Sequence, residues 1–327
     1  MKGGICKMVS FSAINRTAVL LLAVVFMALG WGVFRMPEAN LLEVTFTSLV
    51  SALLADVSSF RSRFKLALLW GCYGSAAQFL ISVSGGAPFL KILVSSLFAY
   101  FTFLTLDRRA GCIVMLTGYL AFFAPAGFLP AAGRIVDLFV GVAVILTVTA
   151  LGNCGAVKET PFAACPYSRR QALILASELG LGTFITEIFQ LQQGAWIMMT
   201  ILFINMCKAP GVSEEKLAVE RILAVPAGII TGGLLLGIFY RIDQRLIWLL
   251  PFIGAAGFFI LYSEGNFFLF SIIFMITLTL FADFMAGPYH QFHFWNSFFS
   301  RSLATFLGAL PELFLNLVPE NEKGKAV

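Results

Sequence analysis

Charge is what this 327-residue chain has least of. Asp, Glu, Lys and Arg together make up 12% of it, about half of the ~25% found in an ordinary soluble domain. A soluble globule needs a charged shell, and too little charge is present to build one. The same shortage argues against disorder and against a nucleic-acid surface. Histidine is scarcer still, with two residues, His290 and His293, in a His-x-x-His spacing whose one nearby acidic residue is Asp283. That is a poor metal site. Six cysteines give no disulfide framework, since none falls in a segment read below as outer. No Gly-x4-Gly-Lys-Ser/Thr loop occurs, so no ATP hydrolysis is expected of the chain. Without a convergent His and Asp cluster no enzyme is expected, and no cofactor.

Apolar residues are what the chain has in excess. They make up 59%, with 35 Phe and a mean hydropathy of +0.91, against about 45–50% apolar in soluble domains. The outside must be apolar as well as the core, which describes a protein dissolved in lipid. A 19-residue window places apolar stretches at 18–34, 41–55, 64–83, 89–106, 110–124, 135–152, 171–191, 195–207, 218–240, 245–262, 265–285 and 296–318. Each is near the length that about 30 Å of hydrocarbon requires of a helix. The fold class expected is all-α, a polytopic transmembrane bundle of about 12 helices, with several stretches short enough to allow ten or eleven crossings or re-entrant pieces instead.

The basic residues orient the bundle, because short cytoplasmic loops hold the Lys and Arg excess. With the N-terminus inside, the inner segments take Lys2, Lys7, Arg16, Arg61, Arg63, Lys65, Arg108, Arg109, Lys158, Arg169, Arg170, Lys208, Lys216, Arg221, Lys323 and Lys325. The outer side keeps Arg35, Lys91, Arg134, Arg241 and Arg245, and Arg301 sits just inside the last span. Both termini are therefore expected in the cytoplasm, and the net charge of +5 reads as a topology signal. The first apolar run lacks a small-x-small cleavage site and ends at Trp31 and Arg35, so it reads as a helix and not as a signal peptide.

The polar stretch NCGAVKETPFAACPYSRR at 153–170 divides the spans six and six. Residues 1–153 form a first half, 154–170 a cytoplasmic linker and 171–327 a second half. Span six opens RIVDLFVG at 134–141 and span twelve opens RSLATFLG at 301–308, each placing a Gly seven residues after an Arg. Six is even, so both halves enter from the same side as parallel repeats, and their interface is the natural place for a pathway. RILAVPAG at 221–228, continuing to Gly232 and Gly233, opens span nine in a similar way. Its small residues at spacings of four permit close helix contact, while Pro226 is expected to kink it.

The run AWIMMTILFINM, a polar turn with Pro210 and then ERILAVPAGIITGG resemble the fusaric acid resistance and aromatic acid exporter superfamily of inner-membrane proteins. SRSLATFLGAL resembles the Arg-x-x-x-Thr-x-x-Gly pattern of that family's last helix. Arg221, Gly228, Gly232, Arg301, Thr305 and Gly308 occupy the motif positions. The chain reads as a short form, without the soluble cytoplasmic domain that many members carry. The resemblance implies a multi-pass inner-membrane secondary transporter exporting aromatic or other amphipathic carboxylic acids. It implies a periplasmic adaptor protein as a partner, besides the small organic anion and membrane lipid. Plant relatives with one half per subunit conduct organic anions as dimers, so a homo-oligomer is compatible with it.

Ionisable groups inside spans cost at least about 2.5–3.5 kcal/mol each and are functional candidates by default. Glu178 and Glu312 are the two deepest carboxylates and are expected to load and release a proton during transport. Asp283 is a third candidate for proton coupling. Glu312 follows Pro311, where a break in the helix is expected. Glu187, nine residues after Glu178, lies on the opposite helix face and cannot share a site with it. Lys91 and Glu187 sit near outer span ends, where an interfacial ion pair is the better reading. Arg134, Arg301 and Arg221 are the substrate-binding candidates. The first two hold equivalent repeat positions, and a guanidinium fork suits a carboxylate. Arg301 is expected to matter more than Arg134. Asp137 can neutralise Arg134 from one turn away, while Ala304 fills the matching place after Arg301. A major-facilitator transporter also has six plus six helices, but LADVSSFRSR matches its loop motif poorly. A membrane scaffold would gain nothing from charge buried in both halves.

Overall fold

The computed structural model describes residues 87–106, 167–191, 194–207, 212–242, 266–286 and 294–314, with 72, 75–76, 79–80, 111–112, 114–116 and 253. Six α-helices have both ends among the described residues, which hold no strand: α1 (Pro88–Thr105), α2 (Arg169–Ile188), α3 (Ala195–Cys207), α4 (Glu214–Ile242), α5 (Phe267–Ala286) and α6 (Phe294–Phe314). The described residues at 72, 75–76, 79–80, 111–112, 114–116 and 253 are helical too. Helices α1 and α2 and the stretch Glu214–Phe239 of α4 are long and apolar enough to cross a membrane. The protein is an all-α membrane protein. The stretches expected to form spans one, two, six and ten lie outside the described residues except for Ile253, as do residues 154–166 of the expected linker, whose last two residues, Arg169 and Arg170, already belong to α2.

Local chemistry sets the helix starts. Pro88 opens α1, where its missing N–H costs nothing. Ser168 and Gln171 form a reciprocal capping box on α2. The Ser213 Oγ accepts from the Lys216 N–H at 3.2 Å, and Glu214 and Glu215 fill the first turn of α4, where the helix dipole favours negative charge. That polar first turn is why α4 begins at Glu214, ahead of the apolar run expected at 218–240. The α4 helix continues through Pro226, and α6 continues through Pro311 to Phe314. The expected break before Glu312 is therefore corrected: this carboxylate is carried on regular helix.

Each long helix separates its faces cleanly. On α4 the buried positions Ala218, Arg221, Val225, Gly228, Ile229, Gly232 and Leu236 recur at helical spacing, while Leu223, Ile230 and Leu234 are exposed. On α6 the buried stripe is Arg301, Ala304, Thr305, Gly308, Ala309 and Glu312, and Phe299, Leu303 and Phe306 are exposed. The apolar residues face outward to lipid, and the arginines and the carboxylate face inward. Composition alone cannot give that inversion, because in a membrane the outside of a helix is its greasier side.

Helix α3 is one of the short stretches for which a full crossing is only one reading. At 13 residues it spans about 20 Å, short of the ~30 Å of a hydrocarbon core. Every residue from Ala195 to Met206 is buried, so α3 is not a lipid-facing span but a central strut packed against α2, α4 and α6. A hydropathy window cannot make this distinction, since lipid and a packed protein interior select the same side chains.

Contacts fix the helix directions. Helices α1 and α2 are antiparallel, with Lys91 Nζ 3.0 Å from Glu187 Oε1 at one end and Phe103 edge-on to Tyr167 at the other. Ser95 and Thr183 share a hydrogen bond of 3.1 Å between them. The expected interfacial ion pair is thus realised between Lys91 and Glu187. Helices α4 and α5 are parallel, with Gly228 against Ile272 and Met275 and Gly232 against Thr279 and Ile276. This matches the close-packing reading of the glycines, and it is the relation an intervening span at 245–262 requires. Helix α6 runs parallel to α3, from Trp196 beside Arg301 through Gly308 against Ile197 to Asn205 bonded to Glu312.

A tight reversal feeds α3 from α2. Gln190 holds φ of 47° just past the C-cap Phe189, and the Leu191 N–H reaches back to the Thr186 carbonyl at 3.1 Å, the pairing of a Schellman turn. A side chain is strained in this left-handed conformation. Gln190→Gly should raise stability by about 0.5–1 kcal/mol in thermal unfolding in detergent; a loss of stability would show that the Gln side chain is needed there.

Candidate functional site

Arg221 is seven residues past the start of α4, about 10 Å along its axis, on the inward stripe. Its residue exposure is 0%. The guanidinium carbon lies 4.8 Å from the centroid of Phe203 on α3 and 5.9 Å from that of Phe274 on α5. Those rings are 5.1 Å apart, so the two aromatics form a continuous wall. Among the described residues, Nε, Nη1 and Nη2 of Arg221 have no hydrogen-bond partner, and Cys207 at the end of α3 is near enough to interact with its charge. Cation–π contact contributes on the order of 2 kcal/mol when desolvated, less than the ~2.5–3.5 kcal/mol or more of placing an arginine in the apolar layer. Aromatic contact alone does not offset the cost of this charge. Among the described residues nothing occupies its donor fork, whose geometry suits a carboxylate or similar anion.

Hydroxyls near this level share the property. Thr183, Thr186, Thr231 and Thr277 each donate to the carbonyl four residues back, the usual use of a hydroxyl inside a helix. Thr200, Ser271, Thr279 and Thr305 are buried and have no partner among the described residues. They add unspent hydrogen-bonding capacity on α3, α5 and α6.

A second polar cluster lies where α2, α3 and α6 meet. Glu312 is 3% exposed, and its Oε1 accepts from Asn205 Nδ2 at 2.8 Å. The same Nδ2 donates to the Ile201 carbonyl at 3.0 Å. Glu178 on α2 is close enough for its charge and that of Glu312 to act on each other. The two carboxylates read from the sequence as the deepest are therefore brought together. Glu187 is not part of the cluster and pairs with Lys91 instead.

Arg301 is 7% exposed and lies over Trp196 at 5.4 Å. Trp196 and Phe203 are seven residues apart on α3, so Arg301 and Arg221 meet the same helix at levels separated by about 10 Å. Arg134 lies outside the described residues, as does the side chain of Asp283 near the end of α5. Asn205, Phe203, Phe274 and Trp196 did not stand out in the sequence. Asn205 had a signal, being the one carboxamide in the otherwise apolar run AWIMMTILFINMC. The rings had none, because two Phe among 35 cannot be singled out.

The fold and the site define a helical membrane protein with buried basic and shared acidic groups turned inward and onto one short central helix. Residues 181–314 match the family model described as Fusaric acid resistance protein-like, so the chain carries a domain of that kind. The match takes in Phe203, Asn205, Arg221, Phe274, Arg301 and Glu312, and Glu178 falls three residues before it. No curated protein and no solved structure matches the chain.

Proposed function

We propose that the protein is a secondary transporter that exports organic acids, aromatic or amphipathic carboxylates, across an inner membrane with proton coupling. The observation that carries this is Arg221, a fully buried guanidinium with an aromatic wall and three nitrogens lacking partners among the described residues. A planar carboxylate satisfies both features, since the fork takes the carboxylate and the Phe203–Phe274 wall takes the ring. The family description supports the direction of transport, because resistance to an acid that has entered a cell is served by moving it out. Arg301 beside Trp196 offers a second cationic station about 10 Å further along α3. Glu178 and Glu312 form the proton site, as two carboxylates within each other's field can hold a proton between them. In this reading twelve spans form two parallel halves, residues 1–153 and 171–327, with the termini and the 154–170 linker in the cytoplasm. A periplasmic adaptor and a second copy of the chain remain the partners the resemblance implies.

The test is transport of fusaric acid and benzoate into vesicles reconstituted with purified protein, with and without an imposed proton gradient. Wild type should accumulate at least one of them when a gradient is imposed. Glu178→Gln keeps the shape and removes the titratable proton, so it should retain exchange down a substrate gradient and lose proton-driven accumulation by at least about tenfold. Undiminished proton-driven accumulation in Glu178→Gln would place the coupling elsewhere, and no transport of either acid by wild type would remove the substrate assignment.

A further inference from the structure

We propose that Asn205 is a positioning residue that ties the Glu312 carboxyl to the Arg221 site, so that proton uptake at Glu312 and anion binding at Arg221 favour each other through α3. The proposal rests on the reading of Arg221 as an anion site.

The amide orientation follows from chemistry. The Ile201 carbonyl can only accept, so the NH2 end of Asn205 faces it, and the second N–H of that group goes to Glu312 Oε1. Oε1 is then an acceptor whether or not Glu312 is protonated, and a proton taken up by Glu312 sits on Oε2. The contact to α3 persists through the proton's arrival, and α3 follows the carboxyl as Oε2 changes its partners. On the same helix, Phe203 and Cys207 are four residues apart and share the face turned to Arg221. Asn205 lies between them in sequence and about 200° from Phe203 around the axis, on the side of α6. One helix of 13 residues thus touches the anion site with one face and the acid with the other. Asn205 is 7% exposed, so water does not replace the link.

Among the described residues, the charged and titratable groups on the helices packed against this end of α6 are few. They are Glu178 on α2, Cys207 on α3 and Arg221 on α4, with Glu220 held toward Lys216 at 3.8 Å, and, at the helix starts, Arg169 and Arg170 on α2 and Glu214 and Glu215 on α4. A proton on Glu312 Oε2 changes the partners of that oxygen, and α3, held at Oε1 through Asn205, carries the change to the Phe203 face of the anion site, so anion binding tightens as pH falls. By linkage the anion promotes proton uptake by the same factor.

The experiment uses purified full-length protein in lipid nanodiscs, with benzoate as probe between about pH 8 and about pH 6, where benzoate stays ionised. Wild-type affinity should rise at least about fivefold over that range. Asn205→Leu should reduce the rise to less than about twofold while leaving the affinity at the higher pH within about threefold of wild type. In infrared difference spectra between the two pH values, the carboxylic C=O band lost in Glu312→Gln should shift upward in Asn205→Leu, because its carbonyl loses a donor. Asn205→Thr, whose hydroxyl is spent on the Ile201 carbonyl, gives the same comparison if the Leu variant does not fold. A wild-type pH dependence and an unshifted band in these variants overturn the proposal. Absence of benzoate binding by wild type overturns the anion reading and the linkage with it, while a pH-independent affinity in wild type overturns the linkage alone.

Discussion

Arg221→Met should abolish carboxylate transport and at the same time raise the thermal stability of the protein. The two effects have one cause. Arg221 is a charge with no exposure and no hydrogen-bond partner among the described residues, lying against Phe203 and Phe274. Its burial costs at least about 2.5–3.5 kcal/mol, and the rings return about 2 kcal/mol. Methionine fills a similar volume and packs well on aromatic faces. The substitution should therefore stabilise the empty protein by about 1 kcal/mol, in line with other buried charges replaced by apolar side chains. Transport should fall by at least about a hundredfold if a desolvated carboxylate pairs with this fork. Thermal unfolding in detergent and vesicle transport measure the two effects side by side. A variant markedly less stable than wild type would mean that Arg221 is a structural clamp and that its partner is part of the protein.

Gly308→Ala should be among the most damaging small substitutions in the chain. A Cβ there would run into the Ile197 carbonyl oxygen and lie 3.0 Å from the Thr200 Cβ. The obstacle is backbone and cannot rotate away, so α6 must move off α3, at a cost of about 2–3 kcal/mol. The displacement also disturbs the Trp196–Arg301 and Asn205–Glu312 contacts on either side of it. Transport should fall even where the protein still assembles. Gly237→Ala is the control, since nothing lies within 4 Å of its added Cβ, and alanine there should gain about 0.5–1 kcal/mol through helix propensity. Equal stability of the two variants in detergent melts would show that α3 and α6 are not in the close contact described.

Some of this architecture was legible in the sequence. Low charge and apolar runs pointed to helices in a membrane. The small residues at Gly228 and Gly232 read as close helix contacts because Gly and Ala at spacings of four let backbones approach, while Gly308 entered only as a motif position. Arg301 and Glu312 were conspicuous as charges within an apolar stretch, and a single stripe at helical spacing carries them together on α6, whereas Arg221 fell among the inner basic residues and stood out only by its motif position. What composition could not supply was context. The run at 195–207 is as apolar as a lipid-facing span, yet α3 is enclosed by protein, and that enclosure makes Asn205 a link between two sites. Pro311 suggested a broken helix, but the N–H that proline lacks is one bond among many, and packing against α3 keeps the turn in place. Glu178 and Glu312, far apart in sequence, meet only through the helices that carry them.

The central claim is that Arg221 recognises the negative charge of an aromatic acid. Its most direct test is equilibrium binding of benzoate and of neutral benzamide to purified wild type and to Arg221→Lys, measured by calorimetry at constant pH. Wild type should bind benzoate saturably and benzamide at least about a hundredfold more weakly. Arg221→Lys keeps the charge but not the planar fork, and should lose about tenfold or more of the benzoate affinity. If benzamide binds wild type as well as benzoate does, or if the lysine variant binds benzoate with unchanged affinity, the anion-site account of Arg221 is contradicted.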